Sequence, residues 1–463
     1  MPLKQTILRQ PIAPLWPPLQ RWLFHAGDPC GLAVIFLSVF ILHYETRPDN
    51  FSPLLLPIFN PIIGGRFGLL DILMLAIPFF AIIRRLMRGH LTVYRSPLSR
   101  PVLTFGIFCG IIPMVRMFVV EQAFRFSWEV FAVPLTVFCF FMWLIVFEPD
   151  DLYLMAWILM IGGFYKSFEA GVIYLNVGVL WGLLTGWGDA MILALMVVGT
   201  IAAYAVKPAD DSFYRRIRST LLVTLPFTGI MFMMCLRRSY LIGVFIAIGV
   251  VMIAMNRRER QAAKKVVVAT LVLFMVGVVG IGVDSFVARI SGIAEPGKEG
   301  SSAYRAIEVY NLSAMLMENP WYGYRYGEKI KNHTILEYEN ISQLVPHNAY
   351  LYVWLRGGIV GLIAWIWILS AMVAMHRRTV KAATQPFHRF VALWLYSSTV
   401  ILIFSGLFTP VFAERLQQLY PFIMVMTSYL PGAWKPRRFL SGNHGNHTVR
   451  LGLPVSNATA AGS

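Results

Sequence analysis

The sequence predicts an all-α polytopic membrane protein, with about 12 transmembrane helices and one large extramembrane loop. Three observations predict it. Apolar residues fill 57% of the 463 positions and charged residues 14%, against roughly 25% charge in an average soluble chain. Mean hydropathy is +0.63. The apolar residues also gather into runs of the roughly 20 residues that a bilayer core demands of a helix. This composition excludes an intrinsically disordered chain, a collagen and a disulfide-stapled scaffold.

Taken in order, the runs fall at 28–45, 67–83, 101–120, 129–147, 151–170 and 187–206, then at 219–236, 240–255, 266–283, 349–373, 390–407 and 417–433. The stretch 171–186 is apolar too and reads either as re-entrant or as the end of a longer helix. Residues 51–65 carry three prolines and read as an interfacial or broken segment. Cys30, Cys109, Cys139 and Cys235 lie in apolar runs without metal-ligand spacing, which makes them small hydrophobes inside helices. The glycines of GVVGIG (277–282), and the Gly357/Gly361 pair, read as close helix packing rather than as a nucleotide loop. Lys166 and Glu169 are spaced to pair on one helix face, and Arg116 reads either as functional or as snorkelling.

The net charge of +17 has to be read by position. With the N-terminus in the cytoplasm, the inside connections collect Arg84, Arg85, Arg88, Arg95 and Arg100, then Lys207, Arg215, Arg216 and Arg218. They go on to collect Arg257, Arg258, Arg260, Lys264 and Lys265, then Arg377, Arg378, Lys381 and Arg389. Positive charge on the cytoplasmic side orients spans, so the excess records topology and not a nucleic-acid partner. Residues 1–27 form a Pro-rich basic cytoplasmic lead, 28–283 hold spans one to nine, 348–433 the last three, and 434–463 a disordered cytoplasmic tail. The first apolar run starts late and lacks a small-x-small site, so it is a span and not a cleaved signal peptide.

One connection differs from the rest. Residues 284–347 form a long loop on the outside face, within which 303–318 reads as an amphipathic helix capped by Ser301 or Ser302. Loops held by a rigid scaffold are where binding and catalysis concentrate. Arg237 and Arg238 sit between two spans with almost no loop to solvate them, Arg305 opens the loop helix, and His347 and Asn348 close the loop. Charges at a membrane boundary are costly without partners, so an arginine pair there points to an anion. Taken singly, the arginines also fit snorkelling to headgroups, and His347 fits a structural hydrogen bond at a helix start. The sequence holds no HExxH, Walker loop or paired-carboxylate motif, hence no metal or nucleotide signature.

The segment PHNAYLYVWLRGGIVGLIAWI, with His347-Asn348, Tyr350-Leu351, Gly358 and Gly361, resembles a late-helix motif of the O-antigen ligase and O-antigen polymerase family. Arg305, followed by Asn319-Pro320 and Gly323, resembles that family's loop helix and turn, and Arg238 falls where the family has an arginine between two spans. The resemblance covers roughly 225–375. Arg237, Ser239, Arg325 and Arg356 depart from the family pattern.

The resemblance implies a GT-C-like architecture, a bacterial inner membrane location with both termini cytoplasmic, and 284–347 as a periplasmic catalytic loop. It implies a metal-independent inverting glycosyltransferase of surface-polysaccharide synthesis, without a cofactor. The donor would be an oligosaccharide on undecaprenyl diphosphate and the acceptor a second glycan, lipid A-core or a protein hydroxyl. His347, Arg238 and Arg305 are the implied catalytic residues, and Arg237, Asn348, Arg289 and Arg325 the implied substrate-binding ones. Arginine forks suit a diphosphate leaving group and an imidazole suits an acceptor proton. Polymerase or ligase is favoured over protein oligosaccharyltransferase, because the chain ends soon after its last span. A transporter or flippase is the rival from another class, although charge gathered at one face and no internal repeat weigh against it.

Overall fold

A computed structural model describes residues 96–121, 132–145, 151–177, 187–208, 211–235, 237–284, 286–287, 300–328, 330–331, 346–409 and 416–430, together with Phe79. The chain divides into a unit Met1–Ala433 and a second unit Trp434–Ser463, and the second lies outside the described residues. So do the predicted span 28–45, the predicted span 67–83 apart from Phe79, the N-terminal lead, the 51–65 segment, Cys30 and Arg289.

The described residues are helical, with no strand among them. α1 (Ser99–Gly106) runs through a π turn (Ile107–Ile111) into α2 (Ile112–Glu121), and α3 (Ala132–Ile145) and α4 (Asp151–Val177) follow. Then come α5 (Trp187–Ala205), α6 (Ser212–Met234), α7 (Arg238–Ala254) and α8 (Arg257–Ile281). The loop helix is α9 (Gly300–Glu318), and α10 (Ala349–Ala382), α11 (Pro386–Ser405) and α12 (Leu416–Ser428) complete the order. Each predicted span from 101 onward coincides with one of these helices, and the loop helix begins three residues before the expected 303. The apolar stretch after 170 continues α4 as far as Val177. Among the described residues six helices are long and apolar enough to cross a membrane: Ser99–Val120, Met155–Leu175, Ser212–Met234, Arg257–Gly280, Ala349–Ala382 and Pro386–Ser405. The protein is a polytopic membrane protein.

Local chemistry sets the helix starts. Asp211 caps α6 by accepting the Phe213 and Tyr214 amides at 3.0 and 2.9 Å. Asn256 and Glu259 form a reciprocal capping box on α8. Pro386 opens α11 at a position where its missing N–H costs nothing.

Long-range contacts then sort the helix ends into two groups. At one end Tyr153 stacks on Phe387 at 3.6 Å and donates to Asp211 at 2.9 Å, while Arg389 grips Glu259 with two nitrogens. His376 meets Thr427 at 2.7 Å at this end, and Trp143 donates to Ser428 at 3.2 Å. The basic clusters at 215–218, 257–265 and 377–381 flank these contacts. At the opposite end the hydroxyls of Ser239 and Thr409 lie 2.9 Å apart, and the Ala349 amide donates to the Gly406 carbonyl at 2.8 Å. Alternation of the chain between the two ends follows the order read from the sequence.

Packing explains several glycines and cysteines. Side chains at Gly357 or Gly361 would strike the Cys109 sulfur, so their absence lets α10 close on the π turn. A side chain at Gly277 would strike Met233, which places the GVVGIG run in the α6–α8 contact. Cys109, Cys139 and Cys235 are buried and not disulfide-bonded, in keeping with their apolar context. Lys166 and Glu169 do pair within α4, with side-chain exposures of 0% and 4%. Beside them the Ser167 and Thr228 hydroxyls lie 2.9 Å apart, joining α4 to α6.

α10 is a broken helix. At Gly358 the backbone takes φ 60° and ψ −170°, a region that only glycine occupies freely. A Cβ there would also collide with the Trp321 carbonyl. Gly358→Ala is expected to lower stability by about 2 kcal/mol or more, from backbone strain and that collision. Gly249→Ala, in open space on α7, supplies the control and should leave stability level or slightly raised. Thermal unfolding of both variants in detergent checks the pair, and equal midpoints would show that the break in α10 carries no strain.

Candidate functional site

The break in α10 exists to receive the extramembrane loop. After α9 the chain turns through Asn319-Pro320-Trp321-Tyr322-Gly323, and this turn docks backbone to backbone on α10. The Tyr324 amide donates to the Leu355 carbonyl at 2.5 Å, and the Ile359 amide donates to the Pro320 carbonyl at 3.1 Å. Both α10 groups are ones that the irregular step at Gly358 removes from the helical ladder. Gly323, at φ 61°, faces the same junction, and a Cβ on it would meet the Leu355 carbonyl. The Asn-Pro-x-x-Gly turn and the glycine of α10 are thus two halves of one joint.

Side chains lock it. Trp354 donates its indole N–H to the Pro320 carbonyl at 2.9 Å, and Asn319 donates to Gly323 at 2.7 Å. Arg116, from α2, reaches the Tyr322 and Gly323 carbonyls at 3.2 and 3.0 Å, so its role here is to hold the loop. Arg356 is fully buried and donates to the carbonyls of Arg325 and Glu328, between the rings of Tyr326 and Tyr352. The Tyr326 hydroxyl in turn donates to the Cys109 carbonyl in the π turn.

This anchoring presents α9 to the start of α10. Glu308 lies on the buried stripe of α9 with Leu312 and Met315, and is only 2% exposed. Its Oε2 accepts the His347 backbone amide at 3.0 Å, and its two oxygens lie 3.3 and 3.2 Å from His347 Nδ1. The Tyr304 ring, one turn earlier on α9, meets the imidazole edge-on at 5.8 Å. Burial and the Glu308 charge push the Tyr304 hydroxyl up to about 12, which keeps it a neutral phenol at the site. Arg305 is three residues before Glu308 and half-buried, on the adjoining strip of the same helix.

The remaining sequence-singled residues are placed as follows. Arg237 and Arg238 lie at the start of α7, both half-buried. Their neighbour Ser239 bonds Thr409, and Gly406, one turn earlier, accepts the Ala349 amide at the start of α10. The arginine pair and His347 therefore flank the same end of α11. Asn348 caps α10, its Oδ1 accepting the Tyr350 and Leu351 amides at 3.0 Å each. Arg325 stands 3.7 Å from Glu328 with its side chain and lends its carbonyl to Arg356. Arg289 lies outside the described residues. Among the described residues no group of three or more His, Cys, Asp or Glu side chains is arranged to hold a metal ion.

The joint, the loop helix, the Arg237-Arg238 step and the start of α10 all fall within one stretch of chain. Residues 221–366 match the family model described as O-antigen ligase. The match supports assignment of the chain to the O-antigen ligase/polymerase family, and with it an O-antigen ligase/polymerase-type function in surface-polysaccharide synthesis. It spans nearly the region of 225–375 that the motifs mark out. No curated protein matches the chain.

Sequence reading missed Glu308, and a signal for it was present. It sits at the i position of an i, i+4, i+7 apolar stripe, where an acid must find a partner to be buried. It missed Arg356 as a holder of the loop as well, having noted the residue only as a departure from the family pattern. Arg356→Leu would leave two part-buried carbonyls without their donor, at up to about 1–3 kcal/mol each. Limited trypsin digestion should then cut after Arg325 and Lys331 several-fold faster than in the parent protein. An unchanged cleavage rate would mean that the backbone joint holds the loop by itself.

Proposed function

We propose that the protein is a periplasm-facing glycosyltransferase that moves a glycan from an undecaprenyl-diphosphate donor to an acceptor hydroxyl, as an O-antigen or exopolysaccharide polymerase or as an O-antigen ligase. The observation that supports this best is the gathering of His347, Arg305 and Arg238 at one end of the helix bundle, within the O-antigen ligase match. The basic clusters at the opposite end support a cytoplasmic face there and a periplasmic site here, in a bacterial inner membrane.

In this reading Arg238 and Arg305 bind the donor diphosphate. Guanidinium forks match phosphate oxygens bidentately, and their worth rises where water is scarce. Charge grows on the diphosphate as the anomeric C–O bond breaks, so arginines placed there stabilise the transition state more than the ground state. The acceptor oxygen attacks the anomeric carbon from the opposite side, which inverts its configuration. His347 takes the acceptor proton, and undecaprenyl diphosphate departs with the bonding electron pair. The two arginines supply the positive charge that a metal ion would otherwise bring. Arg237 and Arg289 are proposed to contact the donor. Arg325, paired with Glu328, and Asn348, engaged as a cap, are proposed to line the site through their remaining donors.

The test is a reconstituted reaction in detergent with a synthetic undecaprenyl-diphosphate oligosaccharide, EDTA present and no nucleotide. Products are resolved by gel and mass spectrometry. A ladder of longer lipid-linked glycans identifies a polymerase, and product only after addition of lipid A-core identifies a ligase. Arg238→Ala and Arg305→Ala are each expected to lower kcat about 10²–10³-fold, the scale for losing one stabilising donor. His347→Ala should lose about 10²–10⁴-fold, the usual range for a proton-transfer group. Normal turnover in His347→Ala would remove that residue from the chemistry. Donor movement across a liposome bilayer, without transfer to a glycan, lipid A-core or protein acceptor, would establish a transporter instead.

A further inference from the structure

We propose that Glu308 is a positioning residue that holds His347 in the tautomer protonated on Nδ1, so that Nε2 is the atom that receives the acceptor proton. The inference rests on the glycosyl-transfer reading above for its consequence, but its geometry stands apart from it.

Glu308 holds His347 at two points, through the backbone amide at 3.0 Å and through Nδ1 at 3.2 Å, both to Oε2. The second carboxylate oxygen lies 3.3 Å from Nδ1. A carboxylate accepts hydrogen bonds and does not donate them, so a neutral ring facing it carries its proton on Nδ1. The lone pair is then on Nε2. Two contacts from one residue also fix the direction of the ring. The backbone contact sets the position of Cα, and the Nδ1 contact sets the rotation about the side-chain bonds. The Tyr304 ring, perpendicular to the imidazole at 85°, closes one side.

Glu308 has little freedom of its own. It projects from the buried stripe of α9, and α9 is tied to α10 by the joint at Gly358 eleven residues along from His347. The pair is therefore assembled by the docking of the loop. It also has a ready role in the reaction. As the acceptor O–H proton moves to Nε2, the new bond forms between acceptor oxygen and anomeric carbon, and the bond to the diphosphate oxygen breaks. The imidazolium that results faces a carboxylate, which favours it over an imidazolium left in apolar surroundings. The proton then passes to water, restoring the neutral ring. A purely structural tether would need only the backbone contact.

The experiment uses full-length protein in proteoliposomes with histidine labelled by nitrogen-15. Solid-state NMR separates protonated from unprotonated ring nitrogens, and His347→Asn identifies the His347 signals by their loss. The expected result is Nδ1 protonated and Nε2 unprotonated. The reverse tautomer, or a ring protonated on both nitrogens, overturns the proposal whether or not turnover is seen. Glu308→Gln keeps the bulk and an acceptor for the backbone amide but removes the charge. Kinetics on the lipid-linked oligosaccharide should show kcat down by about tenfold to a hundredfold with KM for the donor changed less than about twofold. Glu308→Asp, which restores a carboxylate, should recover part of that loss while melting no higher than Glu308→Gln. Parent-like kcat in Glu308→Gln, or KM and kcat falling together with loss of the fold in both variants, would reduce Glu308 to a tether. Absence of glycosyl transfer by the parent protein would overturn the functional reading alone, and the tautomer would still be decided by the NMR signals.

Discussion

A helix that crosses a membrane satisfies its own backbone groups, and any break in it exposes groups that must be satisfied elsewhere. α10 breaks at Gly358, and the Leu355 carbonyl and Ile359 amide are answered by Tyr324 and Pro320 of the extramembrane loop. Everything distinctive about this end of the molecule depends on that exchange. It fixes the turn after α9, the turn fixes α9, and α9 carries Tyr304, Arg305 and Glu308 to the start of α10. Neither half of the joint makes sense without the other. Gly358 would only weaken a free helix, and an Asn-Pro-x-x-Gly turn would have nothing to dock against.

Around the joint, two arginines do work that is neither catalytic nor a membrane anchor. Arg116 and Arg356 donate to four loop carbonyls between them, and Arg356 does so from complete burial between two tyrosine rings. Backbone carbonyls are good partners for a guanidinium in a dry place, because they neutralise part of its charge without another ion to desolvate. At the far end the partner is an ion as well as a carbonyl, since Arg389 joins α8, α10 and α11 through its pair with Glu259 and through the Val380 carbonyl. These contacts brace the bundle at both ends.

The site follows from this bracing. His347 belongs to the loop by sequence and to α10 by position, since the next residue is its cap. Glu308 is tied to it by two contacts that cross 39 residues of chain. The result is a histidine with a carboxylate behind it and arginines at the same end, the arrangement on which the proposed glycosyl transfer rests.

Sequence alone determined the helical membrane class, the positions of the apolar helices from 101 onward and the loop helix. It did so because hydrophobic run length and 3.6-residue periodicity are local properties that a bilayer leaves little room to override. The alternation of basic segments was legible for the same reason, as was the pairing of Lys166 with Glu169, one helical turn apart. His347, Arg238 and Arg305 were legible as polar residues out of place at a membrane boundary. The tertiary structure alone decided what they stand beside. Glu308 drew no notice, Arg356 stood only as a departure from the family pattern, and Arg116 read equally as functional or as snorkelling, because each takes its meaning from a partner dozens to hundreds of residues away. Asn348 proved to be a cap, and Gly358 a left-handed break inside a run that reads as uninterrupted helix. Partners at such distances are chosen by how helices pack, and packing is a property of the whole bundle rather than of any window of the chain.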